Sequence, residues 1–479
     1  MGFFNSKLLA QIPAPINEDD TVSNDDETEL ASDFLHEIVI EEPIEVSVFL
    51  PGYQKPFPPP SSKEDIFNKD DNESIDSQAR NVSDEKTYSY RELIDSLMTD
   101  LGTDLEKLRA IFVWLGHQDI ENGDYSKVTS SETPKGYMKL MTEKKGRYAS
   151  FSRCCVGWYS RIFDFSAAGL QCVIINGKGK SIAYQVGMTE EECHSLHITW
   201  NAVFFGGCWR LVFPHWAYKA RVGYSEGYFV KVEEGGKVMT KRIPAFPGRS
   251  VRCLNEYYFL TNPEELIFMC FTDETEWQLL KSPWTLQMFL DVPYCEQSFF
   301  EEKVEITSES SCRIYTVDGE CTLSFRENNK EMLFTYVLYY NEKESKTPIS
   351  ENFQLHRYVC MSYNESDVQF KVRFPQAGIY KFQLAGRRSS SKLKLCTFKI
   401  FRKEAKENCK PLPVTPSIGF GPTFEMENAG ITAISHKSGI VPIKACKEIK
   451  HSFSMDNNVR IEIELIHNTI SKEELRSCI

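Results

Sequence analysis

An α+β chain, with helices ahead of a strand-only half, is what this sequence predicts, and three stretches carry the prediction. "TDLEKLRAIFVWL" opens on a helix-capping pattern, and "WNAVFFGGCWRLVF" sets two apolar runs around a Gly-Gly turn. "VQFKVRFPQAGIYKFQLAG" alternates apolar and polar residues on both sides of a turn. The chain has 479 residues and is 41% hydrophobic, which is more than one domain's worth and enough apolar material for several cores.

The first helix starts at Thr103, with Glu106 three residues on as a capping box, and Leu105, Leu108, Phe112 and Leu115 then share one face. A second is expected over "CVGWYSRIFDFSAAG", where Val156, Tyr159 and Phe163 form a stripe and Gly169 ends it ahead of the apolar strand "LQCVIIN". The Gly-Gly hairpin follows, so residues 86–298 read as helix, helix, strand and hairpin. Further on, Val368, Phe370, Val372 and Phe374 alternate, a turn comes at Pro375 to Gly378, and the pattern returns through Tyr380, Phe382 and Leu384. That makes 299–403 a β-sandwich. The stretch 404–479 reads as a linker and a second small β-unit, complete or not, with Val459, Ile461, Ile463 and Leu465 on one face of a strand. Residues 1–85 are acidic and Ser/Asn-rich, with the proline cluster "PGYQKPFPPPSS", and are expected to be a disordered tail.

A formal charge of -13 argues against a nucleic-acid surface. The 15 cysteines are odd in number and scattered, and "MGFFNSKLLAQIPAP" lacks a secretory core and cleavage site, so free thiols in a reducing cytoplasm are expected. The tripeptides "NVS" and "NES" are the kind that arise by chance. No apolar run is long enough to span a bilayer. Met1-Gly2 with Ser6 fits a myristoylation pattern only loosely, and Phe3 weakens it. "NGKGKS" matches neither phosphate-binding glycine pattern, so no cofactor is expected. "HSLH" has no second ligand cluster or CxxC to complete a metal site, so no metal is expected either.

Five pieces, "LEKLRAIFVWL", "CVGWYSRIF", "AGLQCVIINGKGK", "WNAVFFGGCWRLV" and "YYFLTNPEELIFMCF" with its following "WQLL", together resemble the transglutaminase-like domain of the kyphoscoliosis peptidase and hillarin group. The resemblance runs from about Tyr88 to Phe300, and the β-units behind it resemble that group's C-terminal domains. It implies a papain-like transglutaminase core followed by immunoglobulin-like β-sandwich units. It also implies a helix-N-terminal Cys nucleophile, a His base on the next strand and an Asp on the hairpin partner. The helix dipole and imidazolium stabilise a thiolate, and the carboxylate fixes the imidazole tautomer.

Each of those positions departs from the group's pattern. Aligned on Gly146, the Gly-x-Cys-x-Gly-aromatic motif puts Tyr148 where the cysteine should be; aligned on "CVGW", it gives Cys155, Gly157 and Trp158, the preferred reading, after an insertion. Cys154 and Cys155 read equally well as small buried hydrophobes. The histidine position, two residues before Trp200, holds Ile198; His197 falls on the opposite strand face unless a bulge turns it, and His194 is further away. Phe213 occupies the carboxylate position, with His215 two residues on beyond Pro214. The expectation is a scaffold kept and a chemistry dropped: a non-catalytic, cytoplasmic adaptor with protein partners, cytoskeletal in the setting the resemblance implies. The alternative is an active cysteine peptidase or transglutaminase using Cys155 with His197 or His215.

Overall fold

The computed structural model of this chain describes residues 4–10, 35–36, 53–82, 89–143, 148, 150–151, 153, 170–225, 228–234, 237–243, 246–308, 310–316, 318–327, 332–350, 353–364, 367–388, 391–403, 409–412, 420–436, 439, 441, 449–456, 458–467 and 474. It divides into two units, one of residues 32–228 with 242–294, the other of 295–479 with 1–31 and 229–241.

In the 32–228/242–294 unit, helix α1 (Glu73–Asn81) packs on helix α3 (Asp104–His117), with α2 (Tyr90–Leu97) between them in sequence and α4 (Pro134–Glu143) following. The capping box of α3 forms as its sequence requires. Thr103 Oγ1 accepts from the Glu106 N–H at 3.2 Å, and Glu106 Oε2 accepts from the Thr103 N–H at 2.7 Å. Leu108, Phe112 and Leu115 are buried, joined by Trp114. Strands β1 (Gln171–Gly179), β2 (His197–Phe205), β3 (Cys208–Val212) and β4 (Cys270–Phe271) form an antiparallel sheet in the order β4-β1-β2-β3. Gly206 and Gly207 close the β2–β3 hairpin at φ 58° and 82°, the two positive values that a two-residue primed turn demands. Helix α5 (Pro214–Tyr218) starts directly after β3, with Pro214 in its first turn. The helix expected over 154–169 lies outside the described residues, although Tyr148, Ser150, Phe151 and Arg153 just before it are helical.

Much of the expected tail is folded. Residues 53–82 belong to this unit: Phe67 stands edge-on to Phe259 at 4.9 Å, and the Trp209 indole N–H donates to the Gln54 carbonyl at 3.0 Å. Arg210 donates to the Ser61 carbonyl at 2.6 Å and to its hydroxyl at 2.8 Å. The segment has little periodicity of its own because its order comes from partners about 150 residues away along the chain, which a local pattern does not register. Leu35–His36 also pairs, with the strand Lys219–Ser225.

The other unit contains a β-sandwich. One sheet runs 304–306, 320–327, 367–373, 359–364; the other runs 391–402, 378–388, 333–340, with 313–315 parallel to 391–402. The alternation expected to make a hairpin across Pro375–Gly378 instead places its two strands in opposite sheets. Phe370 and Phe382 meet across the sandwich at 5.4 Å, and Val368, Val372, Phe374, Tyr380 and Leu384 are all buried. Alternation reports which face of a strand is buried; it does not report which neighbour the strand bonds. The supposed linker also packs: the Arg357 guanidinium donates to the Leu412 carbonyl at 2.7 Å, and Leu412 and Phe420 lie against Cys360. Beyond it, Ile431–Thr432 pairs with Ser454–Met455, and Ile461–His467, which overlaps the expected "VRIEIEL" strand and runs two residues past it, pairs antiparallel with Phe4–Ala10. Among the described residues no helix is long and apolar enough to cross a membrane.

Candidate functional site

Helix α5 and the helical residues from Tyr148 meet in a buried aromatic cluster. The Tyr148 ring stands edge-on to His215 at 5.5 Å and tilted to Tyr218 at 5.7 Å. Phe151, fully buried one turn later, stacks on Tyr137 at 6.0 Å and lies 6.0 Å from Trp114 of α3, so this helical segment is pinned from both sides. Tyr218 is anchored by its hydroxyl, which donates to the Phe112 carbonyl at 2.9 Å. His215, 4% exposed, is therefore held in an aromatic wall.

Phe213 is fully buried at the N-cap of α5. Its backbone N–H donates to the Tyr258 carbonyl at 3.0 Å, and its own carbonyl accepts from the Ala217 N–H at 3.0 Å. Its ring packs on Trp216 at 4.3 Å, Tyr258 at 5.9 Å and Trp200 at 6.3 Å. Pro214 begins a helix because its ring suits a first helical turn and supplies no N–H for a ladder.

Ile198 is 1% exposed and so close to Gly179 that a Cβ at Gly179 would lie 2.2 Å from its Cδ1. Pairing of β1 with β2 runs without a break from Gln171↔Phe204 to Lys178↔His197, so no bulge turns His197 toward the Trp200 face. His197 shares its face with Lys178. Burial, and then the charge of Lys178, hold it below the ordinary imidazole range. Its Nε2 has no hydrogen-bond partner among the described residues. His194 sits exposed on the turn before β2. Cys155, the preferred nucleophile in the sequence, lies outside the described residues, as does Cys154. Of the candidate positions, the structure brings together Tyr148 and His215, with Phe213 two residues before His215.

Among the described thiols, Cys193, Cys253, Cys270, Cys321, Cys360 and Cys396 are all pushed above the ordinary range, with burial the first cause in each case. None of these is poised as a thiolate. Among the described residues no group of three or more His, Cys, Asp or Glu could hold a metal ion.

One feature of the unit escaped the sequence reading. Arg109, on α3 and fully buried, donates to Asp76 through Nε and Nη2 at 2.7 and 2.6 Å, and to Glu256 through Nη1 and Nη2 at 2.5 and 2.8 Å. Its sequence signal was an arginine one helical turn from both Leu105 and Phe112, on the apolar face of α3.

Residues 286–413 match the family described as KY-like, immunoglobulin-like domain. The chain is 27% identical over 440 residues to the LIM and transglutaminase domain protein ltd-1 of Caenorhabditis elegans, covering 88% of this chain and 57% of that protein. It is 27% identical over 403 residues to hillarin of Drosophila melanogaster, 81% of this chain and 46% of that one. The chain is a relative of the kyphoscoliosis peptidase and hillarin group. The kyphoscoliosis peptidase of Mus musculus is 26% identical over 373 residues, 77% of this chain and 49% of its own. The chain thus spans about half the length of the curated relatives it matches, and its C-terminal sandwich is immunoglobulin-like in the group's manner.

Proposed function

We propose that this relative of the kyphoscoliosis peptidase and hillarin group is a non-catalytic protein, a transglutaminase-like scaffold that acts by holding protein partners. The observation that carries the reading is the contact between Tyr148 and His215 beside a fully buried Phe213. With Ile198 in the base position, the base and carboxylate positions hold an aliphatic chain and a phenyl ring, and on the alignment through Gly146 the nucleophile position holds a phenol. A phenol does not replace the thiolate nucleophile, and a phenyl ring accepts no hydrogen bond from an imidazole N–H. Joint loss of base and orienting carboxylate removes several orders of magnitude in rate from such a site. The papain-like core, the cytoplasmic and cytoskeletal setting, and 1–85, 86–298, 299–403 and 404–479 as starting divisions belong to the same proposal, with 53–82 transferred to the core.

The deciding experiment labels the intact protein with an alkylating probe from pH 5 to 8 and reads the rate at each cysteine, with Cys155→Ala as control. At pH 5.5 an ordinary thiol of pKa about 8.5 is only about 0.1% thiolate. Uniformly slow acid labelling, with no turnover of a fluorogenic peptide or incorporation of an amine donor, is expected. Acid-persistent labelling confined to Cys155 and abolished by His215→Ala or His197→Ala would replace this reading with an active cysteine peptidase or transglutaminase.

A further inference from the structure

The region beyond the sandwich places two histidines side by side where no catalytic reading has a use for them. Ile431 pairs with Met455 and Thr432 with Ser454, and the same two segments stay together further along the chain. The Ser435 N–H donates to the Ser452 carbonyl at 2.9 Å, and the Ser452 N–H donates to Ser435 Oγ at 3.0 Å. One residue outward on each segment stand His436 and His451, with ring centroids 4.6 Å apart and planes inclined at 53°. They are thus a directly opposed cross-segment pair whose spacing the Ser435–Ser452 bonds hold.

That spacing suits a shared metal ion. Two imidazoles bound through one nitrogen each at about 2.0–2.1 Å put their ring centres about 4.5 Å apart at a right angle and about 5.2 Å apart at a tetrahedral angle. The second observation concerns the tautomer. Ser435 Oγ lies 2.8 Å from His436 Nδ1 and already accepts the Ser452 N–H. Its second lone pair can accept an Nδ1–H, and in that tautomer the Nε2 lone pair of His436 is free for a metal. Oxygen support for the non-coordinating nitrogen is the arrangement that orients a metal-binding histidine.

We propose that His436 and His451 form a two-histidine chelate site for a late first-row divalent ion, Cu2+, Zn2+ or Ni2+, with Ser435 as positioning residue. Nitrogen ligands select these ions over Mg2+ and Ca2+, which require oxygen, and the Irving–Williams order ranks Cu2+ first. With only two protein ligands, the remaining positions go to water or to a donor group on a bound partner. A partner's histidine or carboxylate would therefore bind more tightly with the ion present.

The test titrates the full chain with each metal salt alone, its thiols first capped as mixed disulfides, by calorimetry and by the metal-dependent rise in melting temperature. Wild type is expected to bind one Cu2+ or Zn2+ per chain and to ignore Mg2+. Chelation makes the ligands non-additive: His436→Gln, His451→Gln and the double variant should each weaken binding by the same factor, tenfold or more by the two-ligand logic. Ser435→Ala should weaken it by less, and the metal-free melting temperatures of the three histidine variants should match wild type, which separates lost ligation from lost folding. Additive losses, wild-type affinity in the single variants, or equal binding of Mg2+ would each overturn the proposal.

Discussion

Two buried places in the 32–228/242–294 unit treat polar groups in opposite ways. Around Arg109 the fold keeps charge and satisfies it: a guanidinium with no exposed surface is held by two carboxylates through four hydrogen bonds. Burial alone would lower its pKa, but the bonds to Glu256 and Asp76 outweigh that and raise it. Around Phe213 the interior is filled by an aromatic ring among Trp200, Trp216 and Tyr258. Among the described residues this unit keeps buried carboxylate at a structural junction between residues 53–82 and α3. A buried charge persists only with all its partners, and where they are gone an apolar filling is the stable solution.

The hardest way to break that comparison is to put a carboxylate in the second place. Phe213→Ala is expected to lose about 3–5 kcal/mol on urea unfolding, as large-to-small core changes of Phe do. Phe213→Asp should lose more, because it adds a desolvated carboxylate to the same cavity. A Phe213→Asp protein of wild-type stability would mean that a hydrogen-bond donor is already waiting there. Conversely, Arg109→Ala should cost about 3–5 kcal/mol by stranding Asp76 with its charge. Replacing Arg109 and Asp76 together by Met and Leu should cost clearly less, and an equal cost would show that packing, not charge, holds the junction. Thr103→Ala, which removes the cap of the helix that carries Arg109, should cost about 1 kcal/mol in the same assay.

The smallest effects are electrostatic and sharpen the contrast through pH. Burial raises Cys253 and Cys360 to about 11 and Cys321 to about 12, well above the ordinary thiol range. A raised thiol pKa favours the protonated folded state, so the stability it reflects is complete below about pH 9 and is lost as pH climbs toward 11 and 12. His197 runs the other way: its folded pKa lies below 6.5, so its contribution is present above that pH and fades as pH falls through it. Melting temperature measured from pH 5 to 11 should therefore fall at both ends. Cys253→Ala should flatten the alkaline limb, and His197→Gln the acid one.

Local patterns were legible wherever the cause is local. The box at Thr103 and Glu106, the Gly206-Gly207 turn and the buried faces at Val368–Phe374 and Tyr380–Leu384 all follow from residues a few positions apart. The strand parity that puts Ile198, and not His197, on the Trp200 face was likewise legible, since it needs only an unbroken strand. The order of residues 53–82 was not, because Phe67, Asp76 and Ser61 gain their partners from Phe259, Arg109 and Arg210. Nor was the separation of the 367–373 and 378–388 strands, since both keep one buried face whichever sheet they join.

By itself, then, the sequence determined the helix cap, the hairpin turn, the alternating strands of the sandwich and the apolar character of Ile198 and Phe213. These are properties of residue type and short-range geometry. Tertiary structure alone decided that Tyr148 stands against His215, that Arg109 closes on Asp76 and Glu256, and that His436 faces His451. Each of these is a meeting of side chains 15 to 147 residues apart, counted along the chain from His436 to His451 and from Arg109 to Glu256. Such meetings depend on how distant elements pack, which no periodicity within either element encodes.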